Sequence, residues 1–259
     1  TTMTSPILVT GGTGTLGTHV LPMLRGAGHD VRVLSRRDHE SRDGITYVTG
    51  DLLKDHGVPA ALEGVEVLMH LAGSAKGDAE ATTHLMRHAV TADVRHVVYI
   101  SVVGADRMPI GYFRNKHGAE RVIAESGLPW TTMRAAQFHD LVLTAMRGVV
   151  RLPVVPAPKV VRFQSVDAVE VASRLVELAV GQPAGLVPDL VGPETHTMPD
   201  LVRGYLRATG KHRPLLPLRI PGRVGAAYRS GANLTLEGAV VGKRTWADFL
   251  ADRLGDDNR

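Results

Sequence analysis

The chain has 259 residues, 44% hydrophobic and 22% charged, and carries 30 lysines and arginines against 26 aspartates and glutamates. That is enough apolar sequence to bury a large core, as one big domain or a domain with a lobe. Having no cysteine, it can form no disulfide, do no thiolate chemistry and offer none of the thiolates that usually hold zinc. No run approaches the ~20 apolar residues of a membrane span, and the N-terminus lacks the basic-then-apolar layout of a signal peptide, so a cytoplasmic location is expected. The formal charge is only +4 although the isoelectric point is near 9.6. The arginines are spread along the chain, so a nucleic-acid partner, which needs a denser patch, is not expected. Thr1-Thr2 before Met3 read as an expression remnant and Gly255 to Arg259 as a frayed polar tail.

In chain order, Ile7-Leu8-Val9-Thr10 is an apolar β-type run that passes into Gly11, Gly14 and Gly17, spaced G-x-x-G-x-x-G, and then into a helical segment from Thr15 to Arg25. This is the layout of a strand, a phosphate-cradling turn and a helix N-terminus, and it reads as a dinucleotide site. Gly11 would permit the turn, Gly14 would let the backbone approach a pyrophosphate, and Gly17 would let the helix pack closely. Pro22 inside the helix predicts a kink or a helix that tolerates one. Val31 to Leu34 is a second strand. After it, an NAD-selective fold places an acid for the ribose 2′-OH, whereas this chain has Ser35-Arg36-Arg37, which suits a 2′-phosphate and predicts NADP(H).

Tyr47 to Leu52 predicts a third strand, where Asp51 can accept from an adenine amino group or cap the next helix. Val65 to Gly73 predicts a buried strand ending in a glycine loop. Asp78 to Val90 reads as a helix, Arg95 to Ser101 as a strand, Tyr112 to Ser126 as a helix and Trp130 to Ala136 as a strand. This alternation implies an α/β fold with a parallel sheet covered on both faces and ligands at the carboxyl ends of the strands. Helices follow at Phe138 to Arg147, Val166 to Val180 and Met198 to Thr209, within a proline-rich stretch that predicts a smaller substrate lobe. The expected layout is one domain over 1–259, with a core of about 5–137 and lobe segments of about 138–161 and 182–254.

Tyr112 and Lys116 form a Y-x-x-x-K pair on one face of a predicted helix. A lysine ammonium one turn away, joined by the positive nicotinamide ring of an oxidised cofactor, favours the phenolate and is expected to lower the tyrosine pKa, fitting it to pass a proton to a carbonyl oxygen. Ser101, at a strand end, can donate to the same oxygen.

Taken together, Thr10 to Gly17, Ser35 to Arg37, Gly50-Asp51-Leu52, Leu71-Ala72-Gly73, Tyr99-Ile100-Ser101, Tyr112 to Lys116 and Met133 to Phe138 resemble the atypical short-chain dehydrogenase/reductase superfamily. The NmrA-like NAD(P)H-binding branch is the most similar. The resemblance spans nearly the whole chain and implies a Rossmann-type doubly wound parallel sheet with a small C-terminal substrate lobe. It implies that Gly11, Thr13, Gly14, Thr15, Leu16 and Gly17 hold pyrophosphate and that Ser35, Arg36, Arg37, Asp51, Leu52, Leu71, Ala72 and Gly73 line the rest of the dinucleotide site. Lys116 would hold the nicotinamide ribose, Tyr112 would be the acid/base, and Ala135, Ala136, Gln137 and Phe138 would lie beside the nicotinamide. One element departs from the pattern. The superfamily's asparagine on the helix over Asp78 to Val90 has no counterpart, since the only asparagines are Asn115, Asn233 and Asn258.

These readings predict an NADP(H)-dependent oxidoreductase acting on a small organic carbonyl or related unsaturated substrate. The alternatives are a non-catalytic NADP(H)-sensing regulator, and an epimerase or dehydratase that retains its cofactor. No metal site is expected, although His84 and His88 have metal-compatible spacing. His139-Asp140 can touch substrate or start a helix, and His117 is expected to be exposed. The basic stretch with Lys211, His212, Arg213, Arg219, Arg223 and Arg229 reads foremost as the solvated side of a lid, with an acidic-ligand clamp or a membrane or partner face as alternatives. Trp246 and Phe249 read as the packing anchor of the last helix.

Overall fold

The structure is a computed structural model and describes residues 5–73 and 76–256. Strands and helices alternate as β1 (Ile7–Thr10), α1 (Gly17–Gly26), β2 (Val31–Ser35), β3 (Ile45–Thr49), α2 (Val58–Leu62), β4 (Val67–His70), α3 (Asp78–Thr91), β5 (His96–Val102), α4 (Gly111–Glu125) and β6 (Trp130–Ala135). Then come α5 (His139–Val149), β7 (Val155–Pro156), β8 (Arg162–Phe163), α6 (Ala168–Val180), β9 (Gly185–Leu186) and β10 (Leu190–Val191). The chain continues with β11 (His196–Thr197), α7 (Met198–Ala208), β12 (Leu215–Leu216), α8 (Gly222–Ser230), β13 (Val240–Val241) and α9 (Trp246–Asp256). Thr1, Thr2 and the last three residues lie outside the described residues. Gly255 does not belong to a frayed tail but to α9. No helix among the described residues is long and apolar enough to cross a membrane.

The chain forms two compact units. The first holds the described residues up to Ser101, with Gly111–Arg134 and Val171–Val187. Its strands lie in the order β3, β2, β1, β4, β5, β6, the Rossmann order. The pairings of β1 with β2 and β4, of β2 with β3, of β4 with β5 and of β6 with β9 are all parallel. Strands buried on both faces need unbroken apolar runs, and every residue of β1 and β5 is buried. Leu8, Leu68 and Val97 pack with Leu62, Leu85 and Ile123 in one cluster. The order reverses between β1 and β4, so the crevice for a ligand opens beyond their carboxyl ends. Helix α1 runs through Pro22. Both Pro22 and Thr18, whose carbonyl loses its donor, are exposed, so solvent can serve that carbonyl.

Two local expectations are corrected here. The third strand ends at Thr49 rather than Leu52, because Asp51 Oδ1 accepts from the backbone N–H groups of Leu53 at 2.9 Å and Lys54 at 3.3 Å, closing a turn. Asp51 therefore caps that turn and not α2, which starts after Gly57 with no side-chain cap. Five-residue α2 itself carries too little periodic sequence to be read.

The second unit holds Val102–Ile110, Ala135–Glu170 and the chain from Pro188. Val142, Met146, Leu201, Tyr205, Trp246 and Phe249, from α5, α7 and α9, form its core. The Trp246 and Phe249 rings stack with centroids 5.8 Å apart. Helix α7 starts on a capping box in which Thr197 and Asp200 bond reciprocally. Thr197→Ala is expected to lower stability by about 1 kcal/mol, read as an earlier urea midpoint; an unchanged midpoint would show that the box contributes nothing.

Candidate functional site

The turn after β1 is built around conformations only glycine supplies. Gly11 has φ +73°, and a Cβ there would lie 2.6 Å from the Ala72 nitrogen. A Cβ on Gly17 would lie 2.3 Å from the Gly12 carbonyl oxygen, so the close packing it permits is of the helix start onto the turn. Gly14 is exposed, and a Cβ there would meet only the Gly11 oxygen at 3.4 Å. Its bare backbone leaves the outer side of the turn open. Helix α1 has no side-chain cap and no acid in its first turn. Thr18, His19 and Val20 donate to the Gly14 and Leu16 carbonyls, so what this end offers an anion is the N–H groups ahead of Thr18 and the helix dipole. Thr13 and Thr15 are exposed, whereas the Leu16 side chain is buried in the protein, leaving its backbone as the part a ligand can reach.

At the end of β2, Ser35 is buried and its Oγ accepts from the Arg37 N–H at 3.2 Å. This points Arg36 and Arg37 outward. Both are exposed and neither forms an ion pair among the described residues. Leu52 is half-buried, and its carbonyl accepts from His84 Nδ1 at 2.8 Å. His88 Nε2 lies 2.9 Å from Asp55 Oδ1, and Arg87 also pairs with Asp55. Both histidines thus hold the loop over residues 51–55.

The loop after β4 is fixed by a buried chain of hydrogen bonds. Thr82 Oγ1 donates to the Asp78 carbonyl at 2.6 Å, so it accepts from His70 Nε2 at 3.1 Å. His70 Nδ1 then accepts from Thr10 Oγ1 at 2.7 Å, and Thr10 Oγ1 accepts from the Ala72 N–H at 3.3 Å. Burial, and then the charge of Lys116, push the His70 pKa down to about 3, so it remains a neutral relay of this kind at physiological pH.

Tyr112, Lys116 and Glu120 are spaced four apart on α4 and share one face. Lys116 is buried, with Nζ 3.4 Å from Asp78 Oδ2 and 5.2 Å from the centre of the Tyr99 ring. A Cβ on Gly73 would lie 2.7 Å from that Nζ, so the ammonium sits against the loop containing Leu71 and Ala72. Burial pulls the Lys116 pKa down against the opposing pull of Asp78 and Glu120. Tyr112 is 39% exposed. Its pKa is raised, first by burial and then by the Asp78 carboxylate, the reverse of the direction expected from lysine alone. Burial is the larger cause of the difference, and Asp78 adds to it by opposing a second anion nearby. Ser101 is buried near the end of β5.

Glu120 is also buried and takes two hydrogen bonds from Arg134, at 2.8 and 2.7 Å. Burial raises its pKa, but hydrogen bonds led by that of Arg134 outweigh it and leave the carboxyl below its ordinary value. His117 is partly exposed, and its Nδ1 lies 3.2 Å from Glu120 Oε2.

The segment with Ala135, Ala136, Gln137 and Phe138 belongs to the second unit. Ala136 donates to the Leu190 carbonyl at 2.9 Å and Val166 to the Gln137 carbonyl at 3.0 Å. His139 is 1% exposed. Its Nδ1 lies 3.0 Å from Ser165 Oγ, and its Nε2 donates to the Arg244 carbonyl at 3.2 Å. It is therefore a packing residue beside Trp246 and Phe249, not a substrate contact, while Asp140 is in the first turn of α5. The roles of Asp78 and His70, the contact of Tyr99 with Lys116 and the Glu120–Arg134 pair were missed by sequence reasoning. Their meaning lies in partners 12 to 60 positions away that no local spacing signals.

Residues 11–179 match the model of an NAD(P)H-binding family. Sterol demethylase protein B of Methylococcus capsulatus is 32% identical over 231 residues, covering 79% of this chain and 70% of that protein. Quinone oxidoreductase 2 of Escherichia coli is 26% identical, with 79% of this chain and 75% of that protein covered. The crystal structure of an NADPH-dependent quinone oxidoreductase from Escherichia coli in complex with NADPH superposes with a TM-score of 0.81 at 21% identity, covering 95% of this chain and 99% of that one. A Rossmann-like sheet in this strand order, a glycine turn that tolerates no side chain at Gly11, and a family match over 11–179 lead to one assignment: the chain belongs to the NAD(P)H-binding family.

Proposed function

We propose that the protein is an NADP(H)-dependent reductase of the atypical short-chain type, acting on a small carbonyl or quinone-like acceptor. The observation that carries this reading is the convergence of Lys116 Nζ, the Gly73 loop and Asp78, with half-exposed Tyr112 one helical turn away. The open N-terminus of α1 and the outward Arg36 and Arg37 fit a phosphorylated dinucleotide. In this reading the N–H groups around Gly14 hold pyrophosphate, Arg36 and Arg37 hold the 2′-phosphate, and Lys116 holds the nicotinamide ribose hydroxyls. When bound, the reduced cofactor supplies a hydride to the acceptor carbon. Tyr112 supplies the proton to the acceptor oxygen, and its raised pKa suits that task because the phenol stays protonated at neutral pH. Ser101 donates a hydrogen bond to the same oxygen. The relative named as a quinone oxidoreductase supports an unsaturated acceptor.

The test is calorimetric titration with NADP⁺, NADPH, NAD⁺ and NADH. The phosphorylated forms are expected to bind more tightly. Arg36→Ala is expected to weaken NADPH by about tenfold, the loss of one charge-assisted contact, with NADH unchanged. Equal weakening of both would mean that Arg36 does not read the phosphate.

A further inference from the structure

The net charge of +4 conceals a strong segregation. Residues 141–166 and 201–236 contain eleven lysines and arginines and no aspartate or glutamate, so with histidine neutral the rest of the chain sums to −7. The fold brings these two segments together, because β12 pairs in parallel with β7. Val155 donates to the Pro214 carbonyl and Ala157 to the Leu216 carbonyl, each at 2.9 Å. Since side chains alternate along a strand, Val155 and Leu215 turn towards the core of the unit while Pro156 and Leu216 turn away. Leu216 is 49% exposed, and Leu152, Val154 and Leu218 beside it are 47%, 44% and 44% exposed. Exposed Arg151, Arg213 and Arg219 flank these aliphatic side chains in the sequence.

Next to the ribbon, a cavity of about 760 Å³ is lined by Arg203, Arg207, Lys211 and Arg213 over Leu206 and Leu215. The C-terminal dipole of α7 accounts for Arg207 and Lys211. It does not account for Arg223, which sits in the first turn of α8, where a positive charge opposes the dipole.

We propose that this ribbon and its basic surround dock the protein onto an anionic lipid surface. Aliphatic side chains fit the acyl boundary and the arginines fit headgroup phosphates. Single-stranded nucleic acid would instead call for stacking aromatics, and the exposed ridge has none. The test is co-sedimentation of the full chain with phosphatidylcholine vesicles, with and without phosphatidylglycerol, across a salt series. Binding is expected only to the anionic vesicles, weakening as salt rises. Lys211→Glu with Arg213→Glu is expected to lower the partition coefficient by at least about tenfold. Leu216→Ser with Leu218→Ser is expected to weaken binding and make the remainder fully reversible by salt. A melting curve checks that each variant folds, and the comparison of the two vesicles decides the matter for the unaltered chain alone. No binding to anionic vesicles, equal binding to neutral ones, wild-type binding by both variants, or displacement of the vesicles by DNA with the leucine variant unaffected would each overturn the proposal.

Discussion

Tyr112→Phe is expected to lower turnover by about 10²–10⁴-fold, the usual contribution of a positioned acid, while dinucleotide affinity stays nearly unchanged. The phenol is half-exposed on α4, so losing its oxygen removes no buried packing. The pH profile adds a second readout. With the Tyr112 pKa raised above its ordinary value, the acid is fully protonated at neutral pH, and kcat/KM for reduction is expected to lose nothing to tyrosine ionisation until the pH passes about 10. Normal turnover by the phenylalanine variant would remove Tyr112 from the chemistry. Undetectable turnover in the unaltered protein despite tight NADPH binding would favour a cofactor sensor.

Arg134→Met is expected to produce the largest loss of stability, about 3–5 kcal/mol, because it leaves Glu120 buried without its bidentate partner. The pair ties α4, which carries Tyr112 and Lys116, to β6. Its pH dependence has a definite sign. Glu120 has a folded-state pKa below the unfolded one, so the native pair contributes stability above the unfolded pKa and loses it as pH falls through the folded pKa. In the variant the leading cause of the lowering is gone, and the buried carboxyl is relieved by protonation. Its stability deficit in urea unfolding should therefore shrink between pH 7 and about pH 4, and Glu120→Gln in the same background should recover part of it. A deficit below about 1 kcal/mol at pH 7 would show that the pair behaves as a surface salt bridge.

The strand-turn-helix around Gly11 was legible because its signal is local: an apolar run, three glycines at fixed spacing and a helical period. For the same reason, Tyr112 and Lys116 could be placed on one face of a helix, and the alternation through residue 135 could be read as a parallel sheet. Asp78 is different. In sequence it is an acid at a helix start, and only folding brings it within 3.4 Å of Lys116, 38 positions later. Burial of Tyr112 in the fold, and after it the Asp78 carboxylate, reverse the expected direction of its pKa, since both oppose a phenolate as lysine alone would not. Of the two readings of His139-Asp140 the helix start holds, since α5 begins there, and only folding shows that Ser165 and the Arg244 carbonyl take both ring nitrogens of His139 while it packs beside Trp246 and Phe249. The basic residues looked dispersed because β7 and β12, which gather them, are two residues long and carry no period. The sequence by itself thus determined the fold and the glycine turn after β1, whose causes act over a few residues. Only the tertiary structure decided which charges face each other, because Coulomb interactions depend on distance in space and the chain sets those distances only when it packs.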